Sequence, residues 1–170
     1  MRITILSICG PSAVGKTTLI KYLNENKEIR SIFGLTEGRE IITTGDGFKP
    51  IEEIKNDIND TDCYILHKWQ RCDKDELKEI KDLREKFPNA THKIIVLWLP
   101  WENWWYGFRS KHNDNKEPME IHINWWYKTI IPELQEIGLP IEHYEMIYPK
   151  SGRAAKYSKL EKMPKEPQCR

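Results

Sequence analysis

No apolar run in these 170 residues approaches the roughly 20 needed to cross a bilayer, so a membrane-spanning helix is not expected. Cysteine is scarce. Cys9, Cys63, Cys72 and Cys169 show neither the paired spacing of a metal site nor the density of a disulfide scaffold. Free thiols in a reducing, cytoplasmic setting are the expectation. The apolar opening from Met1 to Cys9 lacks a small-residue cleavage site and runs straight into a glycine motif. It reads as a first strand, not a signal peptide. No internal repeat or linker divides the chain. A hydrophobic fraction of 39% against 31% charged excludes disorder and implies one globular domain with a real core.

The net charge of +1 is unevenly spread. Between Lys150 and Arg170 seven Lys/Arg face two Glu, a local +5 that leaves −4 for the rest. Residues 151–170 therefore read as a basic C-terminal tail beyond a domain over residues 1–150. Such a tail can meet an anionic partner such as nucleic acid; the alternative is a solvated, poorly ordered end.

Apolar periodicity predicts alternating strands and helices. Strands are expected over Ile3–Ile8, Glu40–Thr44, Cys63–His67, Lys93–Leu99 and Glu142–Tyr148. Helical spacing marks Leu19, Ile20 and Leu23, then Ile51, Ile54 and Ile58 after Pro50. Asp73 and Glu76 resemble a capping box before a helix whose inner face is Leu77, Ile80, Leu83 and Phe87. Two further helices follow, from Pro100 to about Lys111 and from about Met119 to Ile131, the second kinked or ended by Pro132. This order predicts an α/β fold with a five-stranded, mainly parallel sheet flanked by helices.

Gly10-Pro11-Ser12-Ala13-Val14-Gly15-Lys16-Thr17 matches the phosphate-loop pattern G-x-x-x-x-G-K-[ST] without a mismatch. Glycines let backbone amides turn inward around phosphates at a helix N-terminus, Lys16 adds a cation at the β/γ end, and the Thr17 hydroxyl suits Mg²⁺. Thr18 extends the binding run into the helix. Chance yields such a match roughly once in two hundred chains of this length, and a buried strand before it with an amphipathic helix after it makes chance rarer still. ATP with Mg²⁺ is the expected ligand. A GTPase would need a strand ending D-x-x-G and an N-K-x-D motif, and neither is present. A small kinase fits best; a non-catalytic nucleotide-binding adaptor is the remote alternative.

In these features the chain resembles the P-loop nucleotide kinases, over roughly residues 1–150 in element order. The wording of the loop is similar to guanylate kinases, and Thr43-Thr44 falls where that family has a T-T-R substrate segment, with Gly45 in place of the arginine. Thymidylate kinases carry Asp-Arg-Tyr at the end of the third strand, where this chain has His67-Lys68-Trp69-Gln70. That strand end looks like the phage kinases that phosphorylate 5-hydroxymethyluracil within DNA. The resemblance implies a helical lid, an acceptor that is either a modified base in DNA or a free nucleoside monophosphate, and, if the source is viral, a host-cytoplasmic location.

An alcohol acceptor needs a general base. Asp46, in a glycine-flanked turn after the second strand, is the first candidate and His67 the second, because parallel sheets gather sites at strand carboxyl ends. The alternatives are an ordinary turn residue and a hydrogen-bonded buried histidine. Lys68 and Arg71 are candidates for substrate phosphate and Trp69 for stacking on a base, against surface charge and core packing. Trp98, Trp101, Trp104, Trp105, Tyr106 and Phe108 form one aromatic group and Trp125, Trp126 and Tyr127 another. Core packing is expected for most of them, with stacking on a base left for at least one. By element order the resemblance makes Arg109 the lid arginine on the transferring phosphoryl group and sets Arg153 near the adenine.

Overall fold

A computed structural model describes residues 3–54, 58, 62–69, 77–112, 117–147 and 155–166. Strand β1 (Thr4–Cys9) is followed by helices α1 (Lys16–Glu25) and α2 (Lys27–Ile32), and β2 (Glu40–Gly45) by a single 3₁₀ turn (Ile51–Glu53). Then come β3 (Cys63–Lys68), α3 (Lys78–Lys86), β4 (Thr91–Trp98), α4 (Trp101–His112) and α5 (Glu117–Trp125). A π-helical turn (Trp126–Ile130), α6 (Ile131–Glu136), β5 (Ile141–Ile147) and β6 (Lys156–Leu160) complete the chain.

These strands form one sheet in the order β2-β3-β1-β4-β5-β6. All neighbours are parallel except β5 and β6, which run antiparallel. The expected five parallel strands are there, but the sheet has six. The extra one lies inside the segment read as a basic tail. Its burial explains why: only Tyr157 is buried, Leu160 is half-buried, and Lys156, Ser158 and Lys159 are exposed, so this edge strand carries too little apolar signal to read as one. Summing the charge of that segment hid the strand.

Alternate residues of each central strand feed two different faces. Leu6, Ile8, Leu66, Ile95 and Leu97 pack with Leu19, Ile20 and Leu23 of α1 and with Phe33 beyond α2. Ile94, Val96, Trp98 and Trp69 pack on the opposite face with Ile80 of α3 and Leu134 of α6. Both faces of β1 and β4 are therefore covered, in keeping with their nearly unbroken apolar runs.

Pro132 was expected to kink or end its helix, yet helical backbone continues to Glu136. Pro132 sits in the first turn of α6, where its missing amide costs least, and the π-helical turn just before it absorbs the lost ladder bond. The buried set Leu77, Ile80, Leu83 and Phe87 is as expected, whereas the Asp73–Glu76 capping box lies outside the described residues.

Candidate functional site

The loop after β1 turns to the α1 face of the sheet, which α4 also covers through Trp104 and Phe108, whereas the segment after the neighbouring β3 leads to α3 on the other face. Where neighbouring loops part like this, a crevice opens at the carboxyl ends of the strands. Residues 10–17 lie there. A Cβ on Gly10 would stand 2.5 Å from the Leu97 carbonyl oxygen and 2.9 Å from Val14 Cγ2, so only glycine lets the loop press against β4. Gly15, at φ 86°, enters α1 from the left-handed region. Ala13 lies there too, at φ 65°, without a glycine's freedom.

The N-terminus of α1 has no side-chain cap and no acidic residue in its first turn. Its first amides, from Lys16 to Thr18, are the kind of donor set that a phosphate satisfies. Lys16 Nζ donates to Gly10 O at 2.7 Å and Pro11 O at 3.1 Å, which keeps the ammonium on the loop. Thr17 is exposed at the mouth. A triphosphate fits this chemistry, and Thr17 Oγ1 is the group that would hold its Mg²⁺. Among the described residues no cluster of three or more His, Cys, Asp or Glu side chains could hold a metal alone, so substrate oxygens would supply further ligands.

Gly45 and Lys68 are register partners, as are Ile8 and Lys68. The turn after β2 thus stands two strand spacings, about 10 Å, from the start of the phosphate loop. Thr44 Oγ1 donates to Lys49 O at 2.6 Å and Phe48 N to Gly45 O at 2.9 Å, which closes that turn. At its tip Asp46 Oδ2 meets Lys68 Nζ at 2.6 Å. Asp46 and Lys68, expected separately as base and phosphate contact, form one ion pair at the edge of the crevice.

Two expectations are corrected by burial. His67 is fully buried and shares a 3.1 Å hydrogen bond through Nε2 with Glu79 Oε2; no partner for its Nδ1 occurs among the described residues. It is walled off from any substrate, as its place in mid-sheet between Ser7 and Thr44 requires. Trp69 is 1% exposed and packs edge-on against Trp126, with ring centroids 5.8 Å apart. It fills the core and has no face for a base. Arg109 lies on α4, while Arg71 and Arg153 lie outside the described residues.

The tryptophan groups are mainly core: Trp98, Trp104, Phe108 and Trp126 are all buried. Two hydrogen bonds tie α4 and α5 to the loop after β1. Trp104 Nε1 donates to Ser12 O at 2.6 Å, and Ser12 N donates to His122 Nε2 at 2.9 Å. Sequence reasoning missed His122. Nothing local marks a histidine 110 positions from the atom it accepts from.

No protein-family model matches this chain, and no curated protein sequence does either.

Proposed function

We propose that this protein is an ATP-dependent phosphotransferase that moves the γ-phosphoryl group to a nucleotide-type acceptor. The observation that carries the reading is the Gly10–Thr17 loop at the carboxyl end of β1. It opens on an uncapped helix start, with Lys16 folded over its carbonyls. Amides of residues 13–18 bind the phosphates, and Lys16 neutralises charge at the β/γ end. The Thr17 hydroxyl would hold Mg²⁺, whose charge would be supplied to the phosphates when it is bound. In this reading Arg109, on the helix after β4, serves the transferring group.

The favoured acceptor is the hydroxymethyl group of 5-hydroxymethyluracil in DNA. Support comes from the His67–Gln70 resemblance and from Asp46, whose partly exposed carboxylate at the crevice edge can take the hydroxyl proton as the new O–P bond forms. Lys68 holds that carboxylate in place at the crevice edge. One observation favours a free nucleoside monophosphate instead. Part of the basic segment is bound into the sheet as β6, and Lys159 Nζ there is engaged with Glu142 at 2.7 Å.

The test follows labelled γ-phosphate from ATP and Mg²⁺ into 5-hydroxymethyluracil DNA and, in parallel, into a panel of free nucleoside monophosphates. Label in the DNA base supports the favoured acceptor, and label only in a free nucleotide replaces it with the second. Failure to transfer to either, with ATP still bound, sinks the phosphotransferase reading and leaves a nucleotide-binding adaptor.

A further inference from the structure

The Pro11–Ser12 peptide is gripped at both ends. Lys16 Nζ donates to its carbonyl oxygen at 3.1 Å, and its N–H, on Ser12, donates to His122 Nε2 at 2.9 Å. The next peptide is held as well, since Trp104 Nε1–H donates to Ser12 O at 2.6 Å. Two helices far away in sequence therefore fix successive peptides of the phosphate loop. A backbone N–H can only donate, so the neutral His122 ring carries its proton on Nδ1 and leaves Nε2 as the acceptor. A cation on the carbonyl side polarises the same peptide and makes its N–H the better donor.

The imidazole is aimed by its neighbours. Trp125 stacks on it at 5.7 Å and 28°, Phe108 lies at 5.8 Å and 37°, and Trp104 at 6.3 Å and 54°. Immediately after the gripped peptides comes Ala13 at φ 65°, a strained conformation for a residue with a Cβ. Such strain persists only where the surroundings over-determine it. The bonds from His122 and Trp104 are that external support.

We propose that His122 and Trp104 are positioning residues for a nucleoside triphosphate. From α5 and α4 they hold the Pro11–Ser12 and Ser12–Ala13 peptides in the orientation that receives the γ-phosphoryl end. This rests on the phosphotransferase reading. The lysine of such a loop reaches the β- and γ-phosphates, and here its amine sits on the carbonyls of Gly10 and Pro11. The peptide that His122 grips belongs to that end of the cradle. The dense tryptophan group thereby gains a role beyond filling space: it orients one imidazole.

The test compares His122→Leu, His122→Gln and Trp104→Phe with the wild type in steady-state ATP turnover. Loss of one such hydrogen bond raises KM for ATP about tenfold in His122→Leu and in Trp104→Phe, with kcat within a factor of about two. His122→Gln, whose amide oxygen can accept from Ser12 N–H, recovers most of the KM. ¹⁵N spectra of the wild-type imidazole place the proton on Nδ1. An unchanged KM in His122→Leu, equal losses in the Leu and Gln variants, or a proton on Nε2 overturns the proposal, while wild-type transfer of the γ-phosphoryl group leaves the phosphotransferase reading standing. A wild type that binds no ATP removes both.

Discussion

Asp46 and Lys68 are joined twice: the carboxylate lies 2.6 Å from Lys68 Nζ, and Asp46 N donates to Lys68 O at 3.0 Å. Only the first bond depends on the side chain. Asp46→Asn therefore leaves the turn in place but removes the carboxylate proposed as general base, and kcat is expected to fall about 10²- to 10⁴-fold. Stability should change by less than about 1 kcal/mol, because the pair is partly solvated. Phosphoryl-transfer kinetics and thermal unfolding of the same preparation check both halves. A variant with unchanged kcat would leave Asp46 as a turn residue.

Gly45 explains why the resemblance to a T-T-R segment stops at its third position. Its φ is 94°, and an added Cβ would collide with the Lys68 carbonyl and stand 2.9 Å from His67 Cδ2. Gly45→Ala should cost about 1–3 kcal/mol, which lowers the thermal midpoint by several degrees in a chain of this size. Gly47, with φ 78° but nothing within 4 Å of an added Cβ, should cost less on the same substitution. Equal midpoints for the two variants would show that the collision at Gly45 is relieved by a small shift.

Lys16→Ala is expected to abolish transfer without unfolding the protein, since the side chain reaches back to loop carbonyls, Gly10 O and Pro11 O, and not into the core of the sheet. Arg109→Ala should lower kcat by roughly 10³-fold with little change in ATP affinity, as for an arginine acting on transition-state charge. Calorimetric ATP binding beside single-turnover transfer separates the two effects. If Arg109→Ala alters only the melting temperature, the assignment of that arginine is wrong.

Acid should destabilise the fold before carboxylates titrate. Burial holds His92 below its ordinary 6.5, against an opposing bond from its Nε2–H to Phe87 O at 2.9 Å. Burial likewise lowers His143, whose Nδ1 accepts from Trp98 Nε1–H at 3.1 Å. Both rings stay neutral in the folded chain at a pH where the unfolded chain already binds protons. Their contribution to stability is complete above pH 6.5 and is lost as the pH falls from 6.5 through the folded values. His143→Asn, which keeps an acceptor near Trp98 Nε1, should flatten that slope in melts between about pH 7.5 and 5. An unaltered slope would assign the acid sensitivity elsewhere.

The phosphate loop and the central strands were legible because their signals are local. A glycine pattern encodes backbone angles within eight residues, and strands buried on both faces, such as β1 and β4, announce themselves as continuous apolar runs. β6 was hidden because three of its five residues are exposed, and its lysines dominated the count of charge. His67 and Trp69 looked available for chemistry because position at a strand end can be read from sequence, whereas burial depends on what α3 and the π-helical turn lay over them. Residue types and spacing were enough to determine the α/β order and the glycine-bounded loop that leads from β1 into α1. Tertiary structure alone decided that Asp46 meets Lys68, that Trp69 belongs to the core, and that His122 meets Ser12. Contacts between residues 22, 57 or 110 positions apart arise from the packing of whole elements, and no short stretch of chain carries that information.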